Sequence, residues 1–371
     1  MNAISKPAAN LPDSEFVART RRLNTVMKRL KLDALFVQTE VNRYYFTGMF
    51  TSNGIIMAER GEEPLFFTDF RYVISACKEI RCMPSKLLWK GSEEQGVLRG
   101  FGSGWKRVGF EGAISAARFI KFKEALPDAE WVDIQDEILQ LRSIKSKAER
   151  GAMRRACAAN DLMLEAVLNQ VQRGMSEWEI SALVRREAET LGQGEAFKAI
   201  VCVGSNAAEC HHHPGSTVMC NNQLLLIDLG VKVNHYCSDM TRTTFFGKPT
   251  ALYKKIYKIV LDANREAISK IKPGVSCDAI DRVARDYITK AGYGKNFGHG
   301  LGHGLGLDVH ENPRFSSAEK TVLKPGMVIT VEPGIYLPGR LGIRVEDVVL
   351  VTRDGCELLS GFDRSGYREL E

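Results

Sequence analysis

Five side chains favoured by hard metal ions are spread through the C-terminal half: Asp228, Asp239, His303, Glu332 and Glu346, each within a short apolar or glycine-rich stretch. Asp228 follows Leu224-Leu225-Leu226-Ile227. Glu332 ends Met327-Val328-Ile329-Thr330-Val331, and Glu346 follows Ile343-Arg344-Val345 just before Val348-Val349-Leu350-Val351. A carboxylate at such a core-like position is rarely left without a partner, because desolvating the ion costs several kcal/mol or more. Two divalent cations would bring four positive charges to four carboxylates, and no comparable number of lysines lies in the same stretches. The donor set is mostly oxygen with one imidazole, which suits Mn2+ or Fe2+, and Co2+ in vitro, better than the thiolate-rich sites of structural zinc. Paired metals roughly 3.5 to 4 Å apart are a recurrent hydrolytic device. Hydrolysis is the expected chemistry.

Histidine placement adds a second signal. All seven histidines lie between residues 211 and 310. A lone histidine is more often a satisfied core or surface residue than a ligand, but this set is clustered. It divides into His211-His212-His213 before the Asp228 strand, His235 near the turn that follows it, and His299, His303 and His310 in and after a glycine-rich run. Glycines at 298, 300, 302, 304 and 306 oppose a helix there and favour an extended segment with close backbone approach. The run is no dinucleotide fingerprint, since its glycines alternate and no strand-to-helix context surrounds them.

The elements that must position these groups are mixed helices and strands. Apolar runs at 34–37, 54–57, 64–67 and 108–110 read as strands, separated by helical or turn-like stretches such as residues 14–31, which together make a small α/β domain. A boundary is expected near 141–147, where Ser146 and Glu149 form a capping box that opens a helix. Ser176 and Glu179 form another. Further helices are expected over about 250–272, stopped by Pro273-Gly274, and about 277–291, stopped by Gly292.

Bulk properties suit an ordinary soluble enzyme of two domains at 371 residues. The net charge of +6 is spread evenly, with 20 Lys+Arg against 18 Asp+Glu in residues 1–140 and 31 against 27 in the rest, so no basic patch invites nucleic acid. The first 25 residues carry no apolar core of a secretion signal, and no run of 18 apolar residues occurs, which argues against secretion and membrane spanning. Nine cysteines without CxxC spacing read as reduced thiols in a cytoplasmic setting.

Six segments together are specific. Asp228-Leu229-Gly230, Tyr236 to Thr243, Gly298 to Gly304, Val309 to Pro313, Val331 to Tyr336 and Gly342 to Asp347 resemble, in order and spacing, the successive signatures of the prolidase and aminopeptidase P branch (M24B) of the pita-bread metallopeptidases. Supporting matches occur at Tyr45-Phe46-Thr47-Gly48, Leu141 to Ser146, and Phe197 to Asn206.

The resemblance implies a creatinase-like N-terminal domain over residues 1–140 and a pita-bread catalytic domain over 141–371, within an α/β (α+β) fold, and a homodimer. It implies that Asp228 binds one metal, that Asp239 and Glu346 bridge two, and that His303 and Glu332 complete the second. Glu332 would also act as general acid/base, while His211, His310 and Arg344 would serve the substrate. The implied cofactors are two divalent ions, Mn2+ first, with Co2+, Fe2+ or Zn2+ as alternatives. The implied substrate is a small peptide with proline at its second position, hydrolysed by a dipeptidase of the prolidase type or, alternatively, an aminopeptidase P acting on longer peptides. Methionine aminopeptidases share the five ligands but not the N-terminal domain or the Gly-Ile-Arg-Val-Glu-Asp context of Glu346. Creatinase-type amidinohydrolases and non-enzymatic pita-bread scaffolds usually lack such a ligand set. Two departures are present: the triple His211-His212-His213, which offers neighbours for the substrate histidine, and Asn221-Asn222-Gln223 in place of an acidic turn.

Overall fold

The computed structural model describes residues 11–88, 94–102 and 104–364. They fall into two compact units, one ending at Arg142 and the other beginning at Ser143. Among the described residues no helix is long and apolar enough to cross a membrane.

The first unit is built on a six-stranded mixed sheet. Its strands lie in the order Ser85–Leu87, Leu65–Thr68, Ile55–Glu59, Ala34–Val37, Arg107–Phe110 and Glu130–Asp133. Ala34–Val37 is central and buried at every position, pairing antiparallel with Ile55–Glu59 and parallel with Arg107–Phe110. Such a strand reads as a continuous apolar run because both faces are covered. The helix Asp13–Leu30 buries Phe16, Leu23, Val26 and Met27, a spacing that keeps one stripe inward.

The second unit repeats a plan. A helix pair, Lys147–Leu168 and Glu177–Leu191, covers one face of an antiparallel three-stranded sheet of Met240–Phe246, Gln223–Leu229 and Ile200–Val203. A second pair, Ala251–Lys270 and Cys277–Lys290, shares a core with a five-stranded antiparallel sheet. That sheet runs Glu311–Phe315, Gly302–Gly304, Val328–Val331, Asp347–Val351 and Cys356–Leu358. The turns inside the two helix pairs correspond at an offset of one hundred residues. Gly174 and Gly274 both take φ of +88°, the left-handed region that glycine enters without strain. Gly174 then donates to Met219 O at 2.9 Å and Gly274 to Leu323 O at 3.0 Å, and Ser176 and Ser276 each form an isolated bridge, to Val218 and Val322. Ser146 and Ser176 both make complete capping boxes.

Candidate metal centre

The five metal-type residues converge through strand register. In Gln223–Leu229, Leu225, Ile227 and Leu229 face the first helix pair, while Leu224 and Leu226 face the second core. Asp228 continues the Leu224/Leu226 side past the end of the apolar packing, opposite Thr241. A hairpin with Asn234 and His235 at its turn, both at positive φ, returns the chain so that Asp239 stands just before Met240–Phe246, the strand paired to that of Asp228. Val331 pairs with Asp347, so Glu332 and Glu346 leave the same end of the strand pair. His303 lies on the neighbouring strand, its backbone N–H donating to Thr330 Oγ1 at 3.0 Å. Alternating glycines make this strand possible. A Cβ at Gly302 would stand 2.0 Å from Thr330 O, and one at Gly304 2.4 Å from Asn312 O.

Asp239, His303 and Glu346 offer donor atoms that all lie within 4.8 Å of one another. His303 Nε2 is 3.7 Å from Asp239 Oδ2 and 3.4 Å from Glu332 Oε1. Its Nδ1 faces Gly304 O at 3.0 Å and so carries the ring proton, leaving a bare Nε2 lone pair turned toward two carboxylates. Burial holds this imidazole neutral, with a pKa of about 4. Burial, reinforced by the other carboxylates, pushes Asp239 and Glu346 well above the usual carboxylate range and Glu332 to about 8. Asp228 Oδ1 is buried and accepts no hydrogen bond. Carboxyls whose ionisation is held back by burial and by one another mark a site short of positive charge, which divalent cations would supply. The residues therefore fit a divalent metal site of mostly oxygen donors.

Around this core a cavity of about 960 Å³ is lined by all five residues and by His211, His310 and Arg344. His211 and His310 are both exposed at its mouth. The His310 ring packs edge-on against His303 at 4.4 Å between centroids. Arg344 is 3% exposed, and its guanidinium has four acceptors. It donates to Asp228 Oδ2 at 2.5 Å, Thr241 Oγ1 at 2.9 Å, Tyr336 Oη at 3.1 Å and Cys210 O at 3.5 Å.

Residues 151–353 match the profile of Metallopeptidase family M24, and residues 19–144 that of the Creatinase/Prolidase N-terminal domain. The chain belongs to metallopeptidase family M24. It is 36% identical over 348 residues to the Xaa-Pro dipeptidase of Pyrococcus furiosus, covering 93% of this chain and 98% of that one. The solved prolidase of Pyrococcus horikoshii superposes with a TM-score of 0.89 at 33% identity, covering 94% of this chain and 99% of that one. The X-Pro aminopeptidase of Thermotoga maritima does so with a TM-score of 0.86 at 32% identity, covering 95% and 100%. The fold is thus a creatinase-type N-terminal domain followed by an M24 pita-bread domain, and the chain is a peptidase of that divalent-metal family.

Several residues that hold this M24 centre in place stood within the motifs but were given no role by the sequence. Thr241 Oγ1 donates to Glu346 Oε2 at 2.7 Å. Arg242, buried against Asp347 at 2.8 Å, also donates to the Glu346 carbonyl. Tyr336 donates to His299 Nε2 at 2.9 Å, since His299 Nδ1 is engaged with Gly300 O, and its oxygen in turn accepts from Arg344. The buried Lys145–Glu311 pair, at 3.0 Å, braces the turn before His310, where Glu311 Oε1 accepts from Leu307 and Asp308 N–H. Glu311 and Lys145 stood within the quoted motifs but carried no signal of a pairing 166 residues apart.

Proposed function

We propose that this M24 peptidase hydrolyses the Xaa-Pro bond of dipeptides, with two divalent ions held by Asp228, Asp239, His303, Glu332 and Glu346. The observation that carries the reading is the convergence of these five donors in one cavity of a chain 36% identical, over 93% of its length, to an Xaa-Pro dipeptidase. Bound divalent ions would activate water and counter charge on the scissile carbonyl oxygen. Mn2+ is the first choice because four carboxylates and one imidazole, without thiolate, make a hard donor set. Co2+, Fe2+ and Zn2+ are the alternatives.

The chain's own residues supply the rest. Glu332, a carboxylate lining the cavity beside His303, is assigned to take the proton of the attacking water and return it to the departing proline nitrogen. That nitrogen has no hydrogen of its own and must receive one. His211 and His310 line the cavity, and we assign them to donate to the carbonyl oxygen as negative charge develops. Arg344 spans Asp228, Thr241 and Tyr336, so we assign it to orienting Asp228. Phe197, Ile200 and Val309 give the cavity an apolar wall on which a proline ring can rest.

The test is turnover of Leu-Pro, Leu-Ala, Leu-Pro-Pro and Met-Ala-Ser by Mn2+-loaded protein. Leu-Pro should be cleaved far faster than Leu-Ala. Good cleavage of Leu-Pro-Pro with little of Leu-Pro replaces this reading with aminopeptidase P, which the similarity to the Thermotoga maritima enzyme also supports. Cleavage of Met-Ala-Ser alone removes the Xaa-Pro assignment. A homodimer is the assembly that the family resemblance implies, and sedimentation velocity tests it. Nine free thiols support a cytoplasmic, reducing setting, which fractionation of the source cells tests.

A further inference from the structure

We propose that His212, clamped between Glu177 and Glu209, is the positioning residue that aims His211 into the cavity. The proposal rests on the reading of His211 as a substrate contact. The three consecutive histidines are not equivalent: all line the cavity, but His212 is engaged by two glutamates.

Glu177 opens the helix Glu177–Leu191, and its carboxylate is wholly buried. Its Oε1 accepts from Val203 N–H at 2.7 Å and Asn206 Nδ2 at 2.9 Å. Its Oε2 accepts from Gly215 N–H and from His212 Nε2, both at 2.9 Å. His212 Nδ1 meets Glu209 Oε2 at 3.0 Å. Ionised carboxylates only accept, so both ring nitrogens carry hydrogens and the ring is an imidazolium. Burial opposes that charge, but the bonds to Glu209 and Glu177 overcome it and lift the pKa above the ordinary 6.5.

One carboxylate thus gathers four points of a segment that is also fixed at both ends. Toward its start, the 3-10 turn Gly204–Ala208 lies so close to the strand Leu341–Arg344 that a Cβ on Gly342 would come within 1.6 Å of Ala207 O. Toward its end, Trp178 N–H donates to Gly215 O and Glu177 N–H to Thr217 O. His211 stands between Cys210, whose carbonyl accepts from Arg344, and His212, bound to Glu177. Its neighbours on both sides are held, so its backbone direction is set while its own ring stays exposed at the cavity. With His212 engaged by Glu177 and Glu209, and with the preceding Cys210 carbonyl held by Arg344 at the metal-type residues, His211 is the member of the triple assigned to substrate.

The experiment combines kinetics and NMR on the metal-loaded full chain. His211→Ala, His212→Phe and the double variant are compared with wild type on Leu-Pro. His212→Phe should lower kcat by on the order of 10- to 100-fold, the effect of displacing a reacting group by about 1 Å, with metal content unchanged; Tm should fall as well, because Glu177 loses its buried partner, so kcat is read well below the variant's Tm. The double variant should be no worse than His211→Ala alone, because His212 acts only through His211. His212→Gln, whose amide can still donate to Glu177, should recover part of the loss. Wild-type kinetics for His212→Phe, or losses that multiply in the double variant, overturn the proposal. A silent His211→Ala overturns it together with the substrate role of His211. Nitrogen-15 shifts of His212 decide the clamp independently of any substrate: a doubly protonated ring at pH 7 that becomes singly protonated in Glu177→Gln is expected, and a singly protonated wild-type ring overturns it.

Discussion

Arg344 Nη2 stands 2.5 Å from Asp228 Oδ2, while the other oxygen of the same carboxylate is buried without a hydrogen bond. One oxygen of Asp228 is answered by a fixed cation, and the other is the one that would meet the proposed metal. Arg344→Lys keeps the charge but cannot reach Thr241, Tyr336 and Asp228 together, because lysine is a point donor without a planar fork. We expect metal affinity to fall roughly 10- to 100-fold, as for loss of a residue that orients a ligand. Metal titration by calorimetry would detect it; wild-type affinity in Arg344→Lys would free the arginine for a direct role with substrate.

Two divalent ions per chain are expected. Asp239→Ala or Glu346→Ala, which would each remove a bridging group, should lose both ions together. Mass spectrometry of metals finding a single tightly held ion after saturation would sink the paired site.

Glu332→Gln keeps size and one oxygen while removing basicity. Activity should fall by orders of magnitude with at least one ion retained. Near-normal turnover in this variant would take Glu332 out of the proton transfer.

His310→Ala and His211→Ala should each lower kcat by roughly 10² to 10³, the effect of losing one donor to a developing oxyanion. Metal content should not change, since neither ring is assigned to the metal. Should His212→Ala be damaging while His211→Ala is silent, the substrate histidine is one residue further along.

The pH dependence of stability should differ between metal-free and metal-loaded protein. Burial raises the Glu332 carboxyl from 4.5 to about 8, and Asp239 and Glu346 are raised too, so the folded metal-free chain binds more protons than the unfolded chain across that window. Its unfolding free energy therefore falls as pH rises. Cations offset the repulsion, so the Tm gap between loaded and metal-free protein should widen from about pH 5 to about pH 8. Calorimetry giving parallel curves would count against the raised carboxyls.

Much of this was readable from residues alone, for physical reasons. The run Ala34–Val37 is a strand buried throughout, because burial on both faces writes itself into hydropathy, while residues 14–31, read only as helical or turn-like, form the helix Asp13–Leu30. Ser146 and Ser176 announce their helices through local chemistry. The short edge strands Ser85–Leu87 and Glu130–Asp133 were not visible, being partly exposed and defined by their parallel neighbours. Asp228 and Glu332 stood out as acids in apolar runs. Thr241 and Tyr336 did not, since a threonine in a strand and a tyrosine after Pro-Gly-Ile look like ordinary packing until register brings them to Glu346 and Arg344. The correspondence of the two helix pairs was also invisible, because the turns that match in space share little more than Gly174 with Gly274 and Ser176 with Ser276.

That correspondence has a mechanical side. Asp228 and Asp239 belong to the half that carries the first helix pair, and His303, Glu332 and Glu346 to the half that carries the second. Ions held by all five residues, as proposed, would tie the two halves together like rivets across a seam, and a ligand that binds only the folded state stabilises it. Metal scarcity would then register as a loosening along that seam, visible to hydrogen exchange, as well as in lost turnover.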